Sequence, residues 1–274
     1  MTAEIDTKVT ERLAELKPAE SRLASYVELY RRLLELRVED SYLPKLELNI
    51  SEAAKRFGEG KYVLHFEDLL LDWEQFRKLF QEASSIVKEF SPNASGLGGF
   101  VSSAPLLEKA ARAWYENYPP EDIEGETGVS WELLSLTIGG AFHPLLVRYS
   151  EVLSPLVNQD SWRQRVCPVC GGRPNIAYLS KESGARWLVC SWCDTEWLFL
   201  RLECPFCSNQ DQDSLAYFTD ENELYRLYIC EACRSYIKAI DLRRTEGDTL
   251  FPLERILTLD MDRQALQAGY KPGG

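Results

Sequence analysis

The stretch CSWCDTEWLFLRLECPFC, residues 190–207, decides the architecture. It holds two Cys-x-x-Cys pairs, Cys190/Cys193 and Cys204/Cys207, joined by a short run of aromatic and aliphatic residues. Working outward, Cys167-Pro-Val-Cys170 lies upstream and Cys230-Glu-Ala-Cys233 downstream. All eight cysteines fall between Cys167 and Cys233. The gaps between successive pairs are 19, 10 and 22 residues, so sequential pairing yields two modules of nearly equal length. Each module reads as a cysteine turn, a hairpin's length of strand and a second cysteine turn, the pattern of a duplicated ribbon.

The spacing has a chemical reason. Two residues between cysteines form a turn tight enough for both sulfurs to face one ion. Two such turns side by side complete a tetrahedron, with metal–sulfur distances of about 2.3 Å for zinc. The residue after the second cysteine often needs a left-handed backbone, which Gly171 supplies at the first turn. Pro168 and Pro205 pre-set φ at the second turn position. The expected ligand sets are Cys167, Cys170, Cys190 and Cys193 for one ion, and Cys204, Cys207, Cys230 and Cys233 for the other. Linking the outer pairs to one ion and the inner pairs to a second is the rival arrangement. Disulfides and thioredoxin-type dithiol chemistry are the non-metal readings, disfavoured by a cytoplasmic setting and by the repeat of the motif. Four thiolates hold zinc or a single iron comparably well, so two metal ions, iron or zinc, are expected. Zinc would be structural, whereas iron would add a redox couple. Trp187, Trp192, Trp197 and Phe206 near the turns suit a small domain's core and also exclude water from an ion.

The rest of the chain supports an α+β fold. The first 166 of 274 residues hold no cysteine, and their apolar residues recur at helical steps. Helices are expected from Pro18 to about Asp40, over Ser51–Phe57 with Ser51 as cap, and over 72–90, 104–117 and Ser130–Leu153, the last kinked at Pro144. Asn93–Ser103, with Gly96, Gly98 and Gly99, reads as a loop. Beyond Arg165, strands are expected at Asn175–Leu179, Arg186–Val189, Glu196–Leu202, Leu215–Thr219, Leu224–Ile229 and Tyr236–Ile240. A last helix is expected over Leu253–Ala268. The organisation is therefore an N-terminal helical bundle domain (1–160) followed by two tandem rubredoxin-like or zinc-ribbon modules, 161–203 and 204–274, the second carrying a C-terminal helix.

Charge narrows the function. The net charge is −12, of which −10 falls on residues 1–160 and −2 on residues 161–274. Such a chain is repelled by phosphate backbones, so nucleic acid is an unexpected partner. No apolar run is long enough to span a membrane, and the charged first twenty residues lack the apolar core of a secretory signal, so a cytoplasmic protein without membrane insertion is expected. The acidic half reads as a solvated surface or as a complement to a basic patch on a client. His65 and His143 stand alone and read as packing or surface residues. Glu196, Arg201 and Lys238 read either as exposed ribbon charges or as groups that orient the cysteine turns or a client. No acid, base or nucleophile constellation stands apart from the cysteines, so an enzyme is not expected.

Three stretches carry a resemblance to a known family. They are Cys190-Ser-Trp-Cys-Asp-Thr-Glu-Trp197 with Arg201 and Cys204-Pro-Phe-Cys207, Cys230-Glu-Ala-Cys-Arg-Ser-Tyr-Ile-Lys-Ala-Ile-Asp241, and Leu257-Thr-Leu-Asp260 with Gly269-Tyr270. With them the whole chain resembles, in layout, the FdhE family of formate dehydrogenase accessory, or formation, proteins. One departure is Pro252-Leu253-Glu254-Arg255, where family members often carry acidic residues. The resemblance implies a chaperone-like cytoplasmic assembly factor that binds the catalytic subunit of formate dehydrogenase, with rubredoxin-like iron. The competing classes are a rubredoxin-like iron electron-transfer protein and a zinc-ribbon protein-binding module.

Overall fold

A computed structural model describes residues 21–38, 50–121 and 123–273. The chain separates into two compact units, one gathering residues 21–38 and 64–149, the other residues 50–63 and 150–273.

The helical elements are α1 (Ser21–Leu34), α2 (Ile50–Gly58), α3 (Trp73–Phe90), α4 (Leu97–Ser102), α5 (Ala104–Tyr115), α6 (Ile123–Thr127) and α7 (Trp131–Leu153). The expected limits of the first helix at Pro18 and Asp40 lie outside the described residues. α3 starts where Asp72 accepts hydrogen bonds from the amides of Glu74 (3.0 Å) and Gln75 (3.1 Å), relieving two of the four unpaired amides of a helix start. Its apolar stripe of Phe76, Phe80, Ala83 and Val87 is buried. Phe142 on α7 closes that stripe, 4.5 Å from the Phe76 ring and stacked on Trp114 of α5 at 5.2 Å. Gly139 makes room for Trp114, since a Cβ there would lie 3.3 Å from the indole. α7 continues through Pro144.

Two local expectations change. Ser51 lies inside α2 rather than capping it. The glycine-rich segment after Asn93 is a 3₁₀ turn (Pro92–Ala94) and then α4, not a loop. Its glycines serve packing rather than freedom: Gly96 has φ −65°, and a Cβ there would sit 2.4 Å from the Thr127 carbonyl oxygen.

The other unit is built on one sheet. Its strands are β1 (Pro174–Leu179), β2 (Arg186–Cys190), β3 (Glu196–Phe199), β4 (Leu215–Thr219), β5 (Tyr225–Cys230), β6 (Ser235–Asp241) and β7 (Lys271–Pro272). The spatial order is β3-β2-β1-β6-β5-β4, with β7 added to β6. Each cysteine module contributes an antiparallel three-stranded meander, and the parallel pair β1–β6 (Ile176 opposite Lys238, Leu179 opposite Asp241) fuses the two. The C-terminal helix divides at Thr258 into α8 (Phe251–Leu257) and α9 (Leu259–Gln267). Phe251 stacks on Tyr178 at 4.9 Å, while Met261 and Ala265 of α9 pack on Leu227, Ile229 and Tyr236. One face of the second meander is thereby covered.

Charges buried in this sheet are paired. Asp241 is fully buried and accepts from Arg226 (2.7 Å) and from Arg243 Nε (2.7 Å) and Nη2 (2.6 Å). The Arg243 hydrogen bond is the main cause that draws its carboxyl down to about 2. A lowered native value means the stabilisation is fully present above the unfolded pKa and is lost as pH falls through the native one. Asp241→Asn is therefore expected to cost about 2 kcal/mol at neutral pH and to flatten the loss of stability between about pH 5 and 2. Urea unfolding across that range measures both.

Candidate metal centres

The four cysteine turns share one backbone design. After each second cysteine the chain turns left-handed: φ is +75° at Gly171, +58° at Asp194, +60° at Ser208 and +55° at Arg234. The amide of each first cysteine reaches five residues forward, Cys167 to the Gly172 carbonyl (2.8 Å), Cys190 to Thr195 (2.9 Å) and Cys204 to Asn209 (2.8 Å); Cys230 pairs with Ser235 in the β5–β6 ladder. Only the first turn uses glycine for the left-handed residue, so the turn itself sustains that conformation in the other three.

These turns assemble sequentially. Cys167, Cys170, Cys190 and Cys193 form one group, Cys204, Cys207, Cys230 and Cys233 the other, and within each the sulfurs lie within 4.8 Å of one another. The rival pairing of outer with outer and inner with inner turns is not the one formed. In the first group Sγ separations are 3.6 Å (Cys167–Cys193), 3.5 Å (Cys170–Cys190) and 3.3 Å (Cys170–Cys193). In the second they are 3.7 Å for Cys204–Cys233 and for Cys207–Cys230. A disulfide would need about 2.05 Å, whereas a tetrahedron of thiolates around zinc has edges of about 3.8 Å. The cysteines are all free, and each group fits, and could hold, one divalent ion. Neither His65 nor His143 joins a potential metal-binding group among the described residues.

The protonation pattern fits the same reading. Burial pushes the Cys170 and Cys193 thiols well up. Cys190 is buried too, yet hydrogen bonds from the other three sulfurs and the Trp192 amide (3.4 Å) bring it well down. In the second group burial raises Cys204 and Cys207, while Cys233 falls to about 7 because Ser235 donates to it against the effect of burial. Four adjacent sulfurs without a cation cannot all ionise; a divalent ion replaces their protons.

The two groups differ in shielding. All four cysteines of the first are buried, whereas Cys207 is exposed and Cys233 half-buried in the second. Around the first, Gly172 is packed so closely that a Cβ would meet Cys190 Sγ at 2.9 Å. Thr195 Oγ1 lies 3.0 Å from Cys193 Sγ. Of the four aromatic residues singled out in the sequence, Trp197 is fully buried and donates to the Gln164 carbonyl (2.9 Å), and Trp192 borders Gly172. Trp187 stacks on Tyr178 (6.1 Å) and Phe206 lies against Gly273.

Several supports come from far along the chain. The Val63 amide donates to the Pro168 carbonyl (2.9 Å), Tyr62 lies against Gly171, and Phe57 stacks on Trp162 at 5.3 Å. Ser150 donates to the Cys193 carbonyl (3.0 Å). Arg255 ties the second turn to β1, with Nη2 on the Cys190 carbonyl (2.7 Å), Nη1 on Asp194 (2.5 Å) and Nε on Asn175 of β1 (2.9 Å). No periodicity or motif connects residue 255 with residue 190. Lys238 is buried and donates to Asp262 (2.5 Å), Glu196 accepts from the Tyr178 hydroxyl (2.5 Å), and Arg201 is exposed. Arg255→Met would remove the Arg255 hydrogen bonds to the Cys190 carbonyl and Asp194 and is expected to cost about 2–3 kcal/mol, read as a lower thermal midpoint with faster metal loss from the first group only.

A family profile described as FdhE, central domain, matches residues 166–201. A protein FdhE homolog of Aquifex aeolicus (strain VF5) is 30% identical over 230 residues, spanning 82% of this chain and 77% of that one. The chain belongs to the FdhE family. A further FdhE homolog, from Haemophilus ducreyi, is 24% identical over 262 residues, 92% of this chain and 79% of its own. The crystal structure of the FdhE protein from Pseudomonas aeruginosa superposes with a TM-score of 0.64 at 20% identity, covering 98% of this chain and 92% of that one, so the fold is shared. In this FdhE-family chain the sheet carries two four-cysteine groups.

Proposed function

We propose that this protein is a non-catalytic accessory factor in formate dehydrogenase maturation, that it works in the cytoplasm, and that it binds the enzyme's catalytic subunit. Family membership carries this reading. In it the eight cysteines, Cys167, Cys170, Cys190, Cys193, Cys204, Cys207, Cys230 and Cys233, ligate two metal ions, iron or zinc, and the chain is organised as a helical part (1–160) and two modules (161–203 and 204–274). When bound, the ions supply rigid cross-links between turns, and iron would also supply a one-electron couple. The protein's own residues supply the rest: Arg255, Ser150 and the left-handed turns hold the sulfurs in place, and α8 and α9 brace the sheet behind them. Among the described residues no helix is long and apolar enough to cross a membrane. Anaerobic pull-down with the tagged chain is expected to retain the formate dehydrogenase catalytic subunit; failure to retain it with both metal sites filled overturns the reading.

Rubredoxin-like electron transfer is the second reading, favoured by the exposed Cys207, since an electron must reach the cluster through its surface edge. Visible absorbance that bleaches with dithionite supports it, and stoichiometric zinc in colourless protein removes it.

A further inference from the structure

The open face of the second meander holds a cleft of about 550 Å³, of the size that encloses small ligands or a few residues of peptide. Arg186 of β2 and Tyr228 of β5 line it, with Leu202, Phe206, Tyr217 and Ile237 making its apolar walls. Tyr217, Tyr228 and Ile237 stand opposite one another across β4, β5 and β6. Arg186 is only 3% exposed, and its Nη2 donates to the carbonyls of Leu200 and Glu203. Its Nε has no partner, and neither has the buried hydroxyl of Tyr228. The guanidinium carbon lies 5.9 Å from the Tyr228 ring. The nearby Glu203 carboxylate is engaged by Gln210 at 2.7 Å. Burial lowers the guanidinium only to about 10, so it stays charged at neutral pH. A buried cation with an unpartnered donor inside the wall of a cleft, beside a second unused donor, is costly unless an anion completes it.

The rim of the cleft adds a second observation. Among the described residues β4 is paired on one side only. Its sequence, Leu-Ala-Tyr-Phe-Thr, carries no charge and no proline, and Tyr217 and Phe218 are 52% and 60% exposed. Edge strands are usually guarded by charges, proline or bulges. An unguarded edge offers main-chain hydrogen bonds to an added strand.

We propose that β4 and this cleft together bind an extended, apolar segment of a partner protein, which pairs with the strand edge and places one acidic side chain on the Arg186 guanidinium and the Tyr228 hydroxyl. The partner's apolar residues, at alternate positions, cover Tyr217 and Leu202. This deepens the client-binding reading above and rests on it for the partner's identity alone.

The test needs no formate dehydrogenase. Random twelve-residue peptides displayed on phage are panned against the full-length, metal-loaded protein and against Tyr228→Phe and Arg186→Gln, each first checked for two bound metals and an unchanged thermal transition. The tyrosine variant loses one oxygen and keeps the proposal testable if the arginine variant does not fold. The expected winners carry Asp or Glu flanked by apolar residues at alternate positions. As a synthetic peptide, the best of them loses about ten-fold or more in affinity when its acid becomes the amide. It loses a similar factor when its backbone is N-methylated at alternate residues, and Tyr228→Phe weakens it several-fold. No enrichment, enrichment without an acidic position, or affinity indifferent to both Tyr228→Phe and N-methylation overturns the proposal. So does a stable dimer whose β4 amides are protected from exchange, because a second copy then occupies the edge. If peptides bind as stated and the pull-down fails, only the client assignment falls.

Discussion

Cys193→Ser is expected to remove one of the two metal equivalents and to unfold the first module of the sheet unit. The four sulfurs of the first group are buried and come from turns separated by a full hairpin. Structural zinc sites contribute about 10–16 kcal/mol of apparent binding free energy, comparable to the whole stability of a typical domain, about 5–15 kcal/mol. Serine cannot replace the thiolate, and three buried thiols around the vacated position would keep their burial cost without the ion. The consequences spread because Cys193 is tied to Ser150 through its carbonyl, and its group shares β2 with the sheet. Elemental analysis is expected to give about one metal per chain in place of two, and near-ultraviolet circular dichroism of Trp197 and Trp192 is expected to flatten. A variant that keeps two metals and a native spectrum would contradict the geometry.

The second large effect is a difference in lability between the groups. Cys207 is exposed and Cys233 half-buried, and the left-handed residues beside them, Ser208 and Arg234, lie at the surface. A chelator or competing thiol reaches this group through small local openings, whereas the first group opens only when Trp197 and the β1–β3 meander separate. Each 1.4 kcal/mol of extra opening cost slows exchange about ten-fold, so the second metal is expected to leave at least about ten times faster at neutral pH. Stopped-flow chelation on wild-type protein should show two phases of equal amplitude. Arg255→Met accelerates the slow phase alone, since two of its hydrogen bonds lie on the Cys190 turn and the third on Asn175 of the adjacent β1. Equal rates for both metals would show that surface exposure of the ligands does not govern release.

The charges of the sheet unit illustrate how far residue type alone can be read. Glu196, Arg201 and Lys238 look alike in sequence, as charges on strand-forming runs. The structure gives each a different place: Lys238 inside the sheet with Asp262, Glu196 against the Tyr178 hydroxyl, Arg201 at the open cleft. Arg186, the residue with the most consequential unmet hydrogen bond, is unremarked in a linear reading because its burial is created by the loop at 200–204 closing over β2.

What the amino-acid sequence determines by itself is what short-range physics encodes. Two residues between cysteines dictate a turn, four such turns at matched gaps dictate two sulfur cages, and helical spacing places Phe76, Phe80, Ala83 and Val87 on one stripe. The turns and the helical stripe lie within a few residues of one another, and each cage closes over one hairpin, so the chain carries them wherever it folds. Tertiary structure alone decides the rest: the parallel β1–β6 seam that merges two modules into one sheet, the recruitment of residues 50–63 beside the first cysteine turn, the hold of Arg255 on Cys190, and the helix made from the Gly96–Gly99 stretch. Each joins surfaces far apart in sequence, and its free energy comes from burial and hydrogen bonds that exist only once both surfaces are formed. Such complementarity leaves no periodic mark on either partner.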